Sequence, residues 1–280
     1  MPHLLKDIAA FFDDSPAGLC ILETAASLAS AQDAYLIGIT MEHHRKDSPG
    51  EGFARGSANH EVIRQHRELD EARLSRIKQA LGSMAIKYGI KTELRTVSTL
   101  EAGDDAALYA MYCDLLIVTR PPSPGTPAIW SPIDVLQRTG VPLLILPEHW
   151  QGVEIAKRIV VTWNESRQSR RALADALPLL ISAENVQLLI VDAERHPSHE
   201  TEEPGSALAL YLSRHGVNVE LNRVSSRGKT IVDTILSQAS SYNADLLVFG
   251  AYSRPRITEA LLGGVTRSLL EDAPLPLFTS

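Results

Sequence analysis

The sequence has few of the features that mark secreted, membrane-spanning or zinc-stabilised proteins. Its 280 residues contain two cysteines, Cys20 and Cys113, which stand in separate apolar contexts without a partner spacing. This usage argues against a disulfide framework and a zinc ribbon, so both are expected to be buried, reduced thiols. No run approaches the roughly 18 apolar residues of a membrane helix, and Asp7 and Asp13 precede any signal-peptide core. The expected location is the cytoplasm, with no membrane partner.

Basic charge is also scarce. The chain has 27 Lys and Arg against 34 Asp and Glu, a formal net charge of −7, and its basic residues form no dense block. Because clustered positive charge is needed to neutralise a phosphate backbone, no nucleic-acid partner is expected. With 44% hydrophobic residues, the chain has ample material for a core, and its length favours two domains.

The chain repeats itself once along its length. Four segments align in order with four later ones: 8–15 with 159–166, 88–98 with 215–225, 114–116 with 245–247, and 141–144 with 275–278. The period is too long for a solenoid unit and fits a duplicated domain. The sequence therefore predicts an N-terminal domain over residues 1–149 and a C-terminal domain over residues 153–280.

Within each copy, short aliphatic runs alternate with helical patterns. In the second copy the predicted strands are 158–163, 186–191, 217–224, 245–250 and 275–278, and the predicted helices are 166–181, 205–214, 230–242 and 259–270. Near-continuous apolar strands separated by helices indicate a parallel sheet that is covered on both faces. Each copy is thus predicted to be an α/β unit with a five-stranded parallel sheet. The first copy adds an insert over residues 43–82, first a loop and then a helix.

The turn after the fourth strand of the second copy is the strongest candidate for a ligand site, because ligands bind beyond the carboxyl ends of parallel strands. This turn leaves the strand at Gly250 and later places Gly263, Gly264 and Thr266 in a helical pattern. A helix that begins at the glycine pair would direct free N–H groups and a positive dipole end at an anion. The residue types leave a second reading open, in which the glycines only let the loop pack on the sheet.

These features resemble the tandem type of the universal stress protein family over essentially the whole chain. Nucleotide-binding members carry glycine, two residues, glycine, nine residues, then glycine and serine or threonine. The same spacing here has Gly250, Ser253, Gly263 and Gly264, followed by Val265 and Thr266. Two of the four signature positions therefore differ. The resemblance implies two Rossmann-like domains of the adenine nucleotide alpha hydrolase type, with helices on both faces of each sheet.

The resemblance also implies where a nucleotide would lie. Family members use an aspartate at the end of the first strand to contact the nucleoside, and that position is Asp13 in the first copy and Asn164 in the second. A nucleotide in the second copy would have Asn164 near its sugar, Val191 beside its base and Arg254 as a source of positive charge. Because an amide cannot act as a carboxylate toward a ribose diol, ATP, ADP or AMP is expected to bind there weakly or not at all.

The first copy keeps the aspartate but loses the loop. Residues 120–132 are rich in proline and contain no glycine pair. Proline lacks the N–H donor that would cradle a phosphate, so no nucleotide site is expected in this copy.

Other motifs point to chemistry less strongly. Gly228, Lys229 and Thr230 resemble the end of a phosphate-binding P-loop, but Arg223 stands where its first glycine belongs, and a loop glycine before a helix start explains them more simply. The histidine pairs 43–44 and 196/199 lie in polar segments and are expected to bind no metal. No catalytic constellation is found.

The resemblance therefore implies a non-catalytic stress-response factor that works through conformational or protein–protein effects. Two alternatives stay open: a slow ATP hydrolase or nucleotide switch that uses the loop over 250–266, and a scaffold without a ligand. The two copies are expected to pair within the chain about an approximate two-fold axis, through strands 141–146 and 275–278, because short apolar edges left uncovered would aggregate. A homodimer is a second association that the resemblance allows, and the protein partners are not identified.

Overall fold

The computed structural model describes residues 5–42, 58–98, 111–120, 132–195, 204–251 and 264–280. Its strands are β1 Asp7–Phe11, β2 Tyr35–Glu42, β3 Thr92–Ser98, β4 Leu115–Thr119, β5 Leu143–Leu146, β6 Arg158–Thr162, β7 Asn185–Val191, β8 Val219–Val224, β9 Leu246–Phe249 and β10 Leu277–Thr279. Its α-helices are α1 Pro16–Gln32, α2 Ala58–Tyr88, α3 Pro132–Thr139, α4 Arg167–Ser182, α5 Ser206–Arg214, α6 Ile231–Ser241 and α7 Gly264–Asp272.

All ten strands belong to one sheet, in the order β3-β2-β1-β4-β5-β10-β9-β6-β7-β8. We call β1 to β5 with their helices the first half, and β6 to β10 with theirs the second half. The two halves have the same strand order, and neighbouring strands within each are parallel. The predicted fold, a repeated α/β unit with five parallel strands, is confirmed.

The two halves join where β5 pairs antiparallel with β10. Leu143 lies opposite Thr279, Leu144 opposite Phe278, and Ile145 opposite Leu277. An antiparallel junction between two otherwise parallel sheets is what an approximate two-fold axis produces. The predicted pairing of the last strands is confirmed, and it covers two short apolar edges that would otherwise template aggregation.

Apolar side chains fill both faces of the sheet. On one face, Ile77, Leu173 and Leu212 bring α2, α4 and α5 into a buried cluster that α1 also joins. On the other face, Val135 of α3 and Leu269 of α7 pack in a second cluster that α6 also joins. Both clusters contain residues of both halves, so the hydrophobic core is continuous across the junction.

The segment between the halves is fixed to α1. Trp150 packs against the core, and its Nε1 donates to Thr24 Oγ1 at 3.0 Å, while Thr24 Oγ1 donates to the carbonyl of Gly152 at 2.9 Å. Close by in the fold, Gln32 of α1 donates to the hydroxyl of Ser182 of α4 at 3.0 Å. The two halves are therefore held by side-chain hydrogen bonds as well as by the sheet.

The duplicated sequence builds the same contacts at the amino edge of the sheet. Asp114 accepts from the backbone N–H groups of residues 6 and 7 at 2.7 and 3.0 Å. Asp245 accepts in the same way from residues 157 and 158 at 2.9 and 3.0 Å. Each carboxylate fixes the start of its half's central strand against the neighbouring strand.

Some sequence predictions need correction. Helix α2 continues to Tyr88, beyond the expected end of the insert at Gly82, and it spans about 46 Å at 1.5 Å per residue. Neither cysteine forms a disulfide, and both are half-buried rather than buried. Burial raises the pKa of the Cys113 thiol to about 12. In the described ranges, no helix combines the length and the apolarity that a bilayer crossing requires.

Candidate functional site

The carboxyl edge of the second half gathers the ends of β6, β7 and β9. Asn164 follows β6, Asp192 follows β7 and Gly250 follows β9. Helix α7 returns from this edge toward β10 and begins at Gly264. The predicted site residues that the structure describes therefore belong to one crevice region, the usual ligand position of a parallel sheet. Ser253, Arg254 and Gly263 lie outside the described residues.

The turn between β6 and α4 presents Asn164 at the surface. Its Oδ1 accepts from the N–H of Ser166 at 3.2 Å, and Ser166 caps α4 by accepting from the N–H of Ser169 at 3.1 Å. Ser166 is thus the N-cap of the helix that the sequence predicted over 166–181. Because a backbone donor faces the oxygen of Asn164, its NH2 group is left to donate to a ligand.

Gly250 has a packing reason for being glycine. A Cβ at this position would lie 2.3 Å from the backbone nitrogen of Ser169 and 2.5 Å from the carbonyl carbon of Gln168. Real Cβ atoms do not approach backbone so closely, so the end of β9 can rest on the first turn of α4 only without a side chain. For this residue, the packing interpretation accounts for the glycine.

Unlike Gly250, Gly264 is not required to be glycine by packing against the described residues. It is the exposed first residue of α7, and an added Cβ would meet no atom of the described residues within 4 Å. Its φ does not lie in the left-handed region either. Val265 beside it is 36% exposed, whereas Thr266 is 5% exposed and shares the inward face of α7 with Leu269. Gly264 and Val265 therefore lie on the exposed face of α7, and the Thr266 side chain belongs to the buried face.

Asp192 is a buried residue of this edge that the motif search missed. It follows the half-buried Val191, has a φ of +52° and is 7% exposed. Its two carboxylate oxygens accept from the N–H and the hydroxyl of Ser226 at 2.7 and 2.8 Å. Charge-assisted bonds of this kind are stronger than neutral ones, so they fix the loop after β8 to the end of β7. An aspartate immediately after a predicted strand was the available signal.

The residues that resemble a P-loop form an ordinary helix start. Thr230 caps α6 by accepting from the N–H of Asp233 at 3.0 Å, and its hydroxyl donates to the Asp233 carboxylate at 2.7 Å. Gly228 has a φ of +85°, which a tight turn before the cap requires. The threonine hydroxyl is thus engaged in capping, which supports the simpler reading of this motif.

The first half repeats the turn after its central strand but closes it more tightly. Asp13 Oδ1 accepts from the N–H and the hydroxyl of Ser15 at 2.9 and 2.5 Å. Gly18 lies directly beneath, since a Cβ there would be 2.3 Å from the same oxygen. One carboxylate oxygen of Asp13 is therefore used within the turn, and the other is left as an acceptor where Asn164 has a donor.

Two arginines of helix α2 form ion pairs with Asp14 in this turn. Arg73 donates to Asp14 Oδ1 at 3.3 Å and to the carbonyl of Met41 at 3.0 Å, and Arg76 donates twice to Asp14 Oδ2 at 3.0 and 2.7 Å. Burial raises the pKa of Asp14, but the hydrogen bond and charge of Arg76 outweigh this and hold it below its usual value. The second half has Glu165 at the equivalent position, exposed and with a φ of +58°.

Metal ligands do not gather anywhere in the described ranges. No group of three His, Cys, Asp or Glu side chains there could hold an ion. The histidines at 43, 44, 196 and 199 lie outside those ranges, as do the proline-rich residues 121–131.

Comparisons with known proteins agree with this architecture. The sequence model of the universal stress protein family matches residues 156–279. A crystal structure of a universal stress protein from Archaeoglobus fulgidus has a TM-score of 0.65 at 16% identity, with 97% of each chain covered. A functionally unknown protein from Pseudomonas aeruginosa PAO1 has a TM-score of 0.57 at 16% identity, covering 98% of this chain and 92% of its own. No curated protein matches the sequence. Residues 156–279 therefore match the universal stress protein family, and the whole chain shares its fold with the universal stress protein from Archaeoglobus fulgidus.

Proposed function

We propose that the chain is a tandem universal stress protein that acts without catalysis, as a stress-response factor with one weak adenine nucleotide site in its second half. The observation that carries the proposal is Gly264: it begins α7 at the carboxyl edge, it is exposed, and an added Cβ would meet open space among the described residues. The position can therefore face a ligand whether or not it carries a small side chain. The N–H groups and positive dipole end of the first turn suit a phosphate.

The proposed ligand is ATP, ADP or AMP, held mainly through its phosphates. Gly264 and Val265 donate backbone N–H groups, Asn164 donates its side-chain NH2 to the sugar, and Val191 packs beside the base. Ser253, Arg254 and Gly263 of the same loop complete the site, and Gly250 keeps the loop seated on α4. We assign this function to residues 153–280, and we propose that residues 1–149 form a partner domain without a nucleotide.

The proposed affinity is low because the site departs from the family signature in two places. Gly264 lacks the hydroxyl that relatives place on the phosphate, and Ser253 replaces a glycine. Each hydrogen bond lost to a charged group costs roughly 1.5–3 kcal/mol, which is about one to two orders of magnitude in the dissociation constant. Submicromolar binding of ATP to the wild-type chain would contradict this proposal.

Calorimetric titration of two variants tests the location as well as the strength. Gly264→Ser restores the hydroxyl of the signature, and Gly264→Ala adds the same Cβ without it; the open space at this position accepts either. We expect the serine variant to bind ATP about tenfold or more tightly than the alanine variant, because the two differ only in one donor to a charged phosphate. Equal affinities would place the phosphate elsewhere.

The same samples separate binding from the enzymatic alternative. Titrations with and without Mg²⁺, followed by measurement of released phosphate, should give binding without turnover. Multiple-turnover phosphate release that rises with ATP affinity in Gly264→Ser would instead favour the slow ATP hydrolase. Sedimentation of the chain with and without ATP tests the homodimer, which stays a prediction.

A further inference from the structure

Arg120 joins the first half to the helix that begins at Gly264. It is the first residue after β4, at the position that Ala251 has in the second half, and its N–H donates to the carbonyl of Leu146 at 3.1 Å. Its guanidinium crosses the junction, where Nη1 donates to the carbonyl of Glu271 at 2.9 Å and Nη2 donates to the carbonyl of Ala273. These two carbonyls lie at the carboxyl end of α7.

Of the two carbonyls that Arg120 caps, that of Ala273 has little access to water. Ala273 is fully buried, and its N–H donates to the carbonyl of Leu269, which is also fully buried. The last carbonyls of a helix have no partner within the helix, and a buried one that loses its donor pays a desolvation cost. The cap therefore cannot be replaced by solvent at this end of α7.

The charge of Arg120 suits its position. Burial lowers the pKa of the guanidinium, and the charges of Asp272 and Glu148 oppose that shift. Arginine keeps its charge in proteins even when it is buried, and a cation at a helix carboxyl end interacts favourably with the helix dipole. The same dipole makes the other end of α7, at Gly264, attractive to an anion.

A second arginine, in the second half, caps a helix of the first half in the same way. Arg171 of α4 in the second half donates from Nη2 to the carbonyl of Gly140 at 2.8 Å, just after α3 of the first half. Its Nε donates to the hydroxyl of Ser280 at 3.1 Å. Each half thus caps the last helix of the other half with a guanidinium, but of these two helices only α7 begins at the proposed nucleotide site.

We propose that Arg120 is a positioning residue for the nucleotide: by fixing the carboxyl end of α7 it holds the N–H groups of Gly264 and Val265 in place at the opposite end. This inference rests on the proposed function and extends it to the first half. The helix has nine residues and spans about 14 Å, so displacement at one end is transmitted to the other. Coupling is reciprocal, and an occupied site must therefore tighten the junction between the halves.

Two variants separate a positioning role from a general loss of stability. Arg120→Gln removes the cap of α7, and Arg171→Gln removes the matching cap of α3. Calorimetric titration with ATP at a temperature where both variants are fully folded gives the affinity, and hydrogen exchange of the backbone amides of α7 reports the seating of the helix. Arg120→Lys, which keeps a charged donor, is the conservative rescue.

We expect Arg120→Gln to weaken ATP binding about fivefold to tenfold, with faster exchange in α7, and Arg120→Lys to recover part of the affinity. Arg171→Gln should leave the dissociation constant unchanged, and ATP should slow exchange in α7 of the wild type but not of Arg120→Gln. Unchanged ATP affinity in Arg120→Gln, or equal weakening in both glutamine variants, would overturn the positioning role. Absence of ATP binding to the wild type would instead overturn the proposed function.

Discussion

The two halves share their amino edge and differ at their carboxyl edge. At the amino edge, Asp114 and Asp245 accept the same pair of backbone N–H groups in each half. At the carboxyl edge, Arg120 occupies the position of Ala251, and an aspartate at residue 13 is matched by Asn164. Contacts that hold the strands together were thus retained in both copies, whereas the edge where a parallel sheet binds ligands diverged.

The carboxyl edge of the first half is occupied by ion pairs and hydrogen bonds, whereas residues at the carboxyl edge of the second half are exposed to solvent. In the first half, Arg73 and Arg76 neutralise Asp14, and Arg120 caps a helix of the second half. In the second half, Asn164 and Gly264 are exposed. The charged groups at the carboxyl edge of the first half therefore hold the structure together, whereas the corresponding residues of the second half are exposed.

The largest expected effect on stability comes from substituting Gly250 and Gly18, the two glycines that allow close packing at the carboxyl edges of the halves. Gly250→Ala should destabilise the protein by about 3 kcal/mol, because the new Cβ meets the backbone of α4 at 2.3 Å and backbone cannot rotate away. Gly18→Ala should cost as much in the first half, since its Cβ meets Asp13 at 2.3 Å. Urea unfolding measures both, with Gly82→Ala in open space as a neutral or slightly stabilising control. A stable Gly250→Ala variant that binds no nucleotide would reassign this glycine to the ligand.

The next effect concerns Asp192 of the second half and its hydrogen bonds with Ser226. Asp192→Ala should lower the free energy of unfolding by about 2 kcal/mol, because it leaves a buried N–H and hydroxyl without their acceptor. The exposed capping residue provides the control: Asp233→Ala should cost less than about 1 kcal/mol. Comparable losses in both variants would show that the Asp192 pair is no stronger than a surface cap.

Local sequence patterns predicted much of this fold, and their limits have a physical cause. The caps at Ser166 and Thr230 depend on residues three positions apart, so a reading of neighbouring residues finds them. The repeated five-stranded parallel unit followed from the internal repeat and from the alternation of apolar runs with helical patterns. The contacts of Arg120 with α7 join residues that only the tertiary fold brings together, and the residue type alone carries no sign of them.

The candidate site was predicted less completely than the fold. The spacing of the glycines located the edge, but it could not separate Gly250, which backbone packing requires, from Gly264, which it does not. That distinction depends on what surrounds each Cα position in three dimensions. Thr266 illustrates the same limit, because its place on the inward face of α7 appears only when the helix is docked on the sheet.

A smaller effect is a pH dependence carried by the Asp14 cluster of the first half. The folded-state pKa of Asp14 lies below its unfolded value, so its contribution is present above about pH 4 and is lost as the pH falls through the folded-state pKa. Asp14→Asn should therefore lower stability at pH 7 by less than about 1 kcal/mol, since Arg76 is exposed, and should match the wild type once both are neutral. Urea unfolding from pH 7 to pH 3 follows this convergence, with Glu165→Gln as the control in the second half. A difference that stays constant with pH would assign the effect to packing.

The smallest expected effect comes from Asn164→Asp, which gives the second half the side chain that the first half has at Asp13. Asn164 uses its oxygen on the N–H of Ser166, so Asn164→Asp keeps that bond and replaces the outward NH2 donor by an acceptor, as at Asp13. A carboxylate can accept from a ribose hydroxyl, and we expect the preference for AMP over 2′-deoxy-AMP to rise by about 0.5 kcal/mol, or roughly twofold, because the residue is exposed. Competition titrations of both nucleotides measure this ratio, and unfolding should be unchanged. The control variant Asn164→Ala removes both the NH2 donor and the oxygen acceptor of the side chain. An equal ratio in the aspartate and alanine variants would place the sugar away from residue 164 and leave the phosphate loop as the ligand's main contact.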